Sequence, residues 1–183
     1  MRGQMLERWR NRRRNREIVD RLYEALVARA RNPFLYEDGG LPDTVMGRYE
    51  ALCIEVFLFL RRCRGDSALA PLAQDVVDRF MLDMDHSLRE IGIGYQGVPR
   101  RMRKLAARFY ARVAEFEAPL AGGDEAALTR AVAARSFAEV AEPGGAPAVI
   151  ATYMIEVDAA YRKVANAVLL TGRLKEEGAE HAA

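Results

Sequence analysis

The chain has two cysteines and two histidines among its 183 residues, and neither a Cys-x-x-Cys nor a His-Glu-x-x-His pairing. The usual structural and catalytic zinc frameworks are therefore excluded. Cys53 and Cys63 fall ten residues apart in one helical stretch. That places them about 15 Å apart along the helix axis, beyond disulfide reach, and free thiols in a reducing compartment are expected. Long apolar runs are also missing. The best, Ala51 to Leu60, contains Glu55 and runs into Arg61 and Arg62, well short of the ~20 apolar residues a membrane span needs. The N-terminus has no apolar signal-peptide stretch. A chain neither exported nor membrane-spanning is expected.

Chemical motifs are equally scarce. No nucleophile elbow, P-loop or triad-like cluster is visible. The stretch Gly92-x-Gly94-x-x-Gly97 follows a helical segment rather than a strand, so it lacks the βαβ setting of a dinucleotide site. A non-enzyme without cofactor or metal is the expectation. No alternating apolar pattern marks a strand.

What the chain does have is apolar content and arginine. Half its residues are apolar and 30% are charged, the profile of one globular domain with a sizeable core. Net charge is only +2, yet residues 1–31 hold ten arginines against four acids, and the remainder is net −4. A basic arm over residues 1–14, a helical domain over 15–172 and a flexible tail over 173–183 are expected. Such an arm suits an anionic partner.

Apolar spacings of three and four predict six helices in an irregular all-α bundle. The first spans Asn15 to Arg31 and stops at Asn32-Pro33; Phe34 to Pro42 reads as a loop. Asp43 is placed to cap a second, central helix running to Cys63. Ser67 is placed to cap a third, with Leu69, Leu72, Val76, Phe80, Met84, Leu88 and Ile91 inward and Gly92 as its left-handed stop. A fourth begins near Pro99, a fifth spans Glu125 to Val140, and a sixth runs from Ala148 to Thr171.

The third helix carries Asp75, Asp78, Asp83, Asp85 and His86. Asp78 and Asp85 share one face and Asp83 and His86 another, so they read as a solvated acidic surface with an Asp85–Arg89 pair rather than a metal site. Two basic clusters remain. Arg8, Arg10, Arg12, Arg13, Arg14 and Arg16 surround Trp9, and the fourth helix opens with Arg100, Arg101, Arg103, Lys104, Arg108 and Arg112 before its first acid at Glu115.

Four blocks, GLPDTVMGRYEAL (Gly40 to Leu52), VFLFLRRC (Val56 to Cys63), LAQDVVDRFMLDMDHSLREIGIG (Leu72 to Gly94) and VPRRMRKLAARFYAR (Val98 to Arg112), resemble the ubiquinol–cytochrome c chaperone family in order and register. That resemblance implies an assembly factor for respiratory complex III that binds nascent cytochrome b. The ribosome or an anionic membrane surface and a small helical protein are the other implied partners, and nothing implies DNA. The implied location is the cytoplasm, at the inner membrane face, or the matrix side in a mitochondrion. The family's marked positions fall on Asp43, Thr44, Gly47, Arg48, Asp83, Asp85, Arg89, Glu90, Gly92, Phe109, Tyr110 and Arg112. Glu55, Tyr95 and Ala111 depart from the family pattern, Glu55 standing where a histidine is usual.

From the residues themselves, acids on the third helix and Arg100, Arg101, Arg103 and Lys104 on the fourth flank a glycine loop with apolar tips at Ile93, Tyr95 and Val98. That mixture suits an amphipathic or membrane-destined segment. The alternative is a ribosome- or RNA-binding helical module without chaperone activity.

Overall fold

A computed structural model describes residues 2–92, 94 and 96–175, with side chains from residue 13 onward. It contains α1 (Arg2–Ala30), α2 (Phe34–Glu37), α3 (Val45–Cys63), α4 (Ala70–Glu90), α5 (Val98–Gly122), α6 (Glu125–Ser136), α7 (Ala146–Lys163) and α8 (Asn166–Leu169). There is no strand among the described residues. The expected bundle of six helices is thus present as six long elements, supplemented by the single turns α2 and α8. None of the helices is long and apolar enough, among the described residues, to cross a membrane.

Helix α3 is the hub. All nine residues from Ala51 to Phe59 are buried, which a helix can manage only when it is surrounded. Helices α1, α4, α5 and α7 pack around it, and α6 closes the ring between α5 and α7. α1 contributes Ile18, Val19, Leu22, Tyr23 and Leu26, and α4 contributes Leu72, Val76, Phe80, Met84 and Leu88. α5 adds Phe109, Phe116 and Leu120, and α7 adds Ile150, Met154, Val157 and Tyr161. Ring contacts join the layers: Phe57 meets Phe116 edge-on at 5.8 Å, and Phe80 lies 5.2 Å from Phe109.

Several boundaries differ from expectation, each for a physical reason. α1 starts at Arg2, because residues 4–14 contain good helix formers and no proline or glycine; the apolar stripe marks where burial begins, at Ile18, not where the helix does. The Phe34–Pro42 loop contains α2, held by fully buried Leu35. The cap of α3 is Thr44, whose Oγ1 accepts from Gly47 N at 3.1 Å, while Asp43 pairs with Arg48 at 2.7 Å. Ser67 does not cap α4. Asp66 organises that turn, its Oδ1 accepting from Ala68 N at 2.9 Å and its carbonyl from Leu69 and Ala70. α5 begins at Val98, one residue before Pro99, and α6 stops at Ser136 rather than Val140.

The sixth expected helix ends early. α7 stops at Lys163, where Val164 and Ala165 turn extended, and Arg62 Nη2 donates to Val164 O at 2.7 Å. Asp66 and Arg62 then hold Asn166, the first residue of α8. Gly92 takes its expected left-handed conformation at φ +83°. Ile91, expected in the buried stripe, is instead exposed, since it lies just past the end of α4. Tyr95, Ile93 and residues 176–183 lie outside the described residues, as do the side chains of Arg8, Arg10 and Arg12.

Candidate functional site

The apolar hub carries four charged side chains inward, and they address different neighbours. Glu50 accepts from Arg112 of α5, with Arg112 Nε 2.6 Å from Glu50 Oε2 and a second bond from Nη2. Glu55, wholly buried, accepts from Arg29 of α1 at 2.9 Å and from Tyr153 and Tyr161 of α7. Arg61 reaches Asp158 of α7 at 2.9 Å and Glu117 of α5. Arg62 holds the α7–α8 junction. Burial pushes the Glu50 carboxyl above its ordinary range despite Arg112. It likewise raises the Tyr153 and Tyr161 hydroxyls, with Glu55 adding to the effect. Glu50, Glu55 and Arg61 are each paired with an opposite charge, as a low-dielectric interior favours. Arg62 instead donates to the Val164 carbonyl and the Asn166 side chain and leaves its buried Nε without a partner.

These ties leave a groove of about 580 Å³ where the C-terminal ends of α1 and α4 meet the N-terminal ends of α3 and α5. Its floor is apolar: Val27, Met46, Leu52, Met84, Leu88 and Leu105. Its rim is charged. Arg101, Lys104 and Arg108 stand along one edge of α5, spaced three and four residues apart, with Arg48 and Arg31 beyond them; Asp83 and Glu90 stand on α4. Val45 and Ile91 are 67% and 57% exposed at its margins.

The groove brings together six of the residues singled out in the sequence: Arg48, Asp83, Glu90, Arg101, Lys104 and Arg108. The others lie elsewhere. Asp85 and Arg89 form the expected i,i+4 pair at 2.6 Å away from the groove lining. Arg100, Arg103 and Tyr110 are exposed but do not line the groove. Asp43 braces Arg48, whose guanidinium holds its carboxyl below the usual range. Thr44 is occupied as a cap. Arg112, expected as a contact residue, is only 4% exposed and ties α5 to α3 instead. Arg13, Arg14 and Arg16 are exposed on α1 and do not line the groove. Asp83 accepts from the Tyr23 hydroxyl at 2.9 Å, and Asp78 accepts from Gln74. Among the described residues no group of three ligating side chains is placed to hold a metal.

Sequence reasoning missed the groove floor and Arg31. Leu88 and Leu105 sit in ordinary apolar stripes, so nothing in their spacing separates a half-open position from a core one. It also missed the interior roles of Glu50 and Glu55. The only local signal was their place inside an otherwise apolar helix.

A family model for the ubiquinol-cytochrome C chaperone matches residues 37–176. The crystal structure of the Cbp3 homolog from Brucella abortus is 39% identical and superposes with a TM-score of 0.81, covering 94% of each chain. No curated protein matches the chain.

Proposed function

The chain belongs to the ubiquinol-cytochrome C chaperone family, and from that premise we propose that it is a non-catalytic assembly factor for ubiquinol–cytochrome c reductase. In this reading it holds newly made cytochrome b until the subunit is incorporated. The observation that carries the reading is the apolar groove with a charged rim, most of whose lining falls within residues 37–176. A membrane-destined subunit exposes apolar helices before insertion, and a groove with an apolar floor shields such a segment while its rim reads the polar flanks. Four buried polar ties on α3 keep the surrounding helices in fixed orientation, so the groove is pre-formed and loses little ordering entropy on binding.

Deletion of the gene tests this. Assembled complex III, followed by native gel and by the cytochrome b absorption band, is expected to fall, and cytochrome b is expected to co-purify with the tagged protein. Normal complex III in the deletion strain overturns the proposal.

A further inference from the structure

The charges around the groove are not equivalent. Asp83 is engaged by Tyr23 at 2.9 Å and by Arg79 at 3.7 Å, and Arg48 is engaged by Asp43. Arg108 lies 3.9 Å from Glu139. Arg31, Arg101, Lys104 and Glu90 are in no ion pair among the described residues. The unpaired rim is therefore three cations and one acid, arranged over an apolar floor, with Glu90 on α4, Arg101 and Lys104 on α5 and Arg31 just past the end of α1.

The α5 edge from Arg101 to Arg108 is about 10 Å long, two helical turns. That is the span over which an amphipathic helix presents apolar anchors at i, i+3, i+4 and i+7. An occupant bearing carboxylates on one flank would meet Arg101 and Lys104 there, and a single basic residue on its other flank would meet Glu90. A cationic helix would instead bring like charge against α5.

We infer that the groove receives an amphipathic helix of a client protein, acidic along the edge that faces α5. This deepens the chaperone reading and rests on it for the identity of the occupant as a client.

The experiment uses the full-length protein and two fluorescein-labelled peptides of about 18 residues, long enough to form helix on binding. Both carry the same apolar stripe; one has glutamates on its flank and the other lysines. Anisotropy is expected to give at least about tenfold tighter binding of the acidic peptide. The Arg101→Glu/Lys104→Glu variant, altered only at exposed positions, should reverse that preference, and Ile91→Arg at the margin should weaken both peptides. Equal affinity for the two peptides, or an unchanged preference in the double variant, overturns the inference. So does binding of anionic phosphatidylglycerol vesicles that the double variant abolishes while neither peptide binds. In cells, full rescue of complex III by the double variant would sink the groove inference and leave the chaperone reading standing. Normal complex III in the deletion strain would sink the chaperone reading, and the peptide preference would then report on the groove alone.

Discussion

Arg112 of α5 donates to both carboxylate oxygens of Glu50 on α3, 62 residues away in sequence, with both side chains almost fully buried. Arg112 also donates to the Arg108 carbonyl at 2.7 Å, so its guanidinium is anchored at both ends. Removing one partner strands a buried charge, which costs about 3–5 kcal/mol. Arg112→Met is therefore expected to lower stability by that amount in urea unfolding. The double variant Glu50→Leu/Arg112→Met is expected to recover much of the loss, since it leaves no charge behind. A double variant as unstable as the single one would show that the pair is not the source of the effect.

Glu55 is a shared acceptor for Arg29, Tyr153 and Tyr161. Glu55→Leu strands the Tyr161 hydroxyl, which costs about 1–3 kcal/mol when left without a partner, while the Tyr153 hydroxyl still accepts from Arg29 Nη2 at 3.0 Å. Arg29→Met removes the cation paired with wholly buried Glu55 and the bond from Arg29 Nη2 to the Tyr153 hydroxyl. That strands a buried charge at a cost of about 3–5 kcal/mol, whereas Arg29, partly exposed, can be solvated when Glu55 is lost. Unfolding midpoints should rank wild type highest, then Glu55→Leu, then Arg29→Met. Equal midpoints for the two variants would contradict the shared-acceptor account.

The difference between what the sequence discloses and what it conceals follows the distance over which each feature is determined. α4 is legible because Leu72, Val76, Phe80, Met84 and Leu88 mark one face and Gly92 ends the helix, all within one segment. The end of α7 is not, because Arg62 takes the Val164 carbonyl from 102 residues away. Arg112 reads as one of a surface series with Arg100, Arg101, Arg103, Lys104 and Arg108; only the position of Glu50 across the α3–α5 interface draws it inside. At the charged rim, Arg48, Asp83 and Glu90 were legible through family resemblance, and Arg101 and Lys104 through the basic run that opens the fourth helix. The floor was not, since a groove is created by what four helices fail to cover.

Gly47 sits where a Cβ would lie 1.8 Å from the Pro42 carbonyl oxygen, and its N–H is the one that Thr44 caps. Gly47→Ala is expected to displace the chain entering α3 and with it Met46, part of the groove floor. Thr44→Ala should cost only about 1 kcal/mol through loss of the cap. Circular dichroism melting of the two variants checks the order: Gly47→Ala must be the more damaging. The reverse order would mean that the Pro42 carbonyl moves aside freely.

Burial pushes the Cys53 and Cys63 thiols up to about 12 from an ordinary value of 9.0. Both therefore remain protonated near pH 8, and since the thiolate is the reacting form, neither should react with Ellman's reagent until the protein is unfolded. Linkage gives a second consequence. Below about pH 9 the thiols are neutral in both states and do not oppose folding. As pH rises from 9 towards 12, the unfolded chain releases these protons first, so stability falls. Stoichiometric labelling of native protein at pH 8, or a Cys53→Ala/Cys63→Ala variant with the same alkaline loss as wild type, would contradict this account.

The arginine-rich start of α1 separates attachment from folding. The helix runs from Arg2, yet Ile18 is the first buried side chain among those described, and the Arg13–Glu17 pair is exposed. An exposed i,i+4 pair contributes only about 0.2–0.5 kcal/mol, so deleting residues 1–14 should leave the melting temperature nearly unchanged. Six arginines lie within the nine residues from Arg8 to Arg16, creating a local potential that reaches about 8 Å at physiological salt. We propose that this segment tethers the protein to an anionic surface, ribosomal RNA or the membrane, where its client emerges. Truncation is expected to reduce co-sedimentation with ribosomes or with anionic vesicles. For the intact protein that co-sedimentation should weaken steeply as salt is added, because phosphate contacts release counterions. If the truncated protein sediments with both as well as the intact one does, the segment is not a tether. If it melts far lower, these residues belong to the folded core, and the burial that begins at Ile18 is not the limit of what α1 contributes to stability.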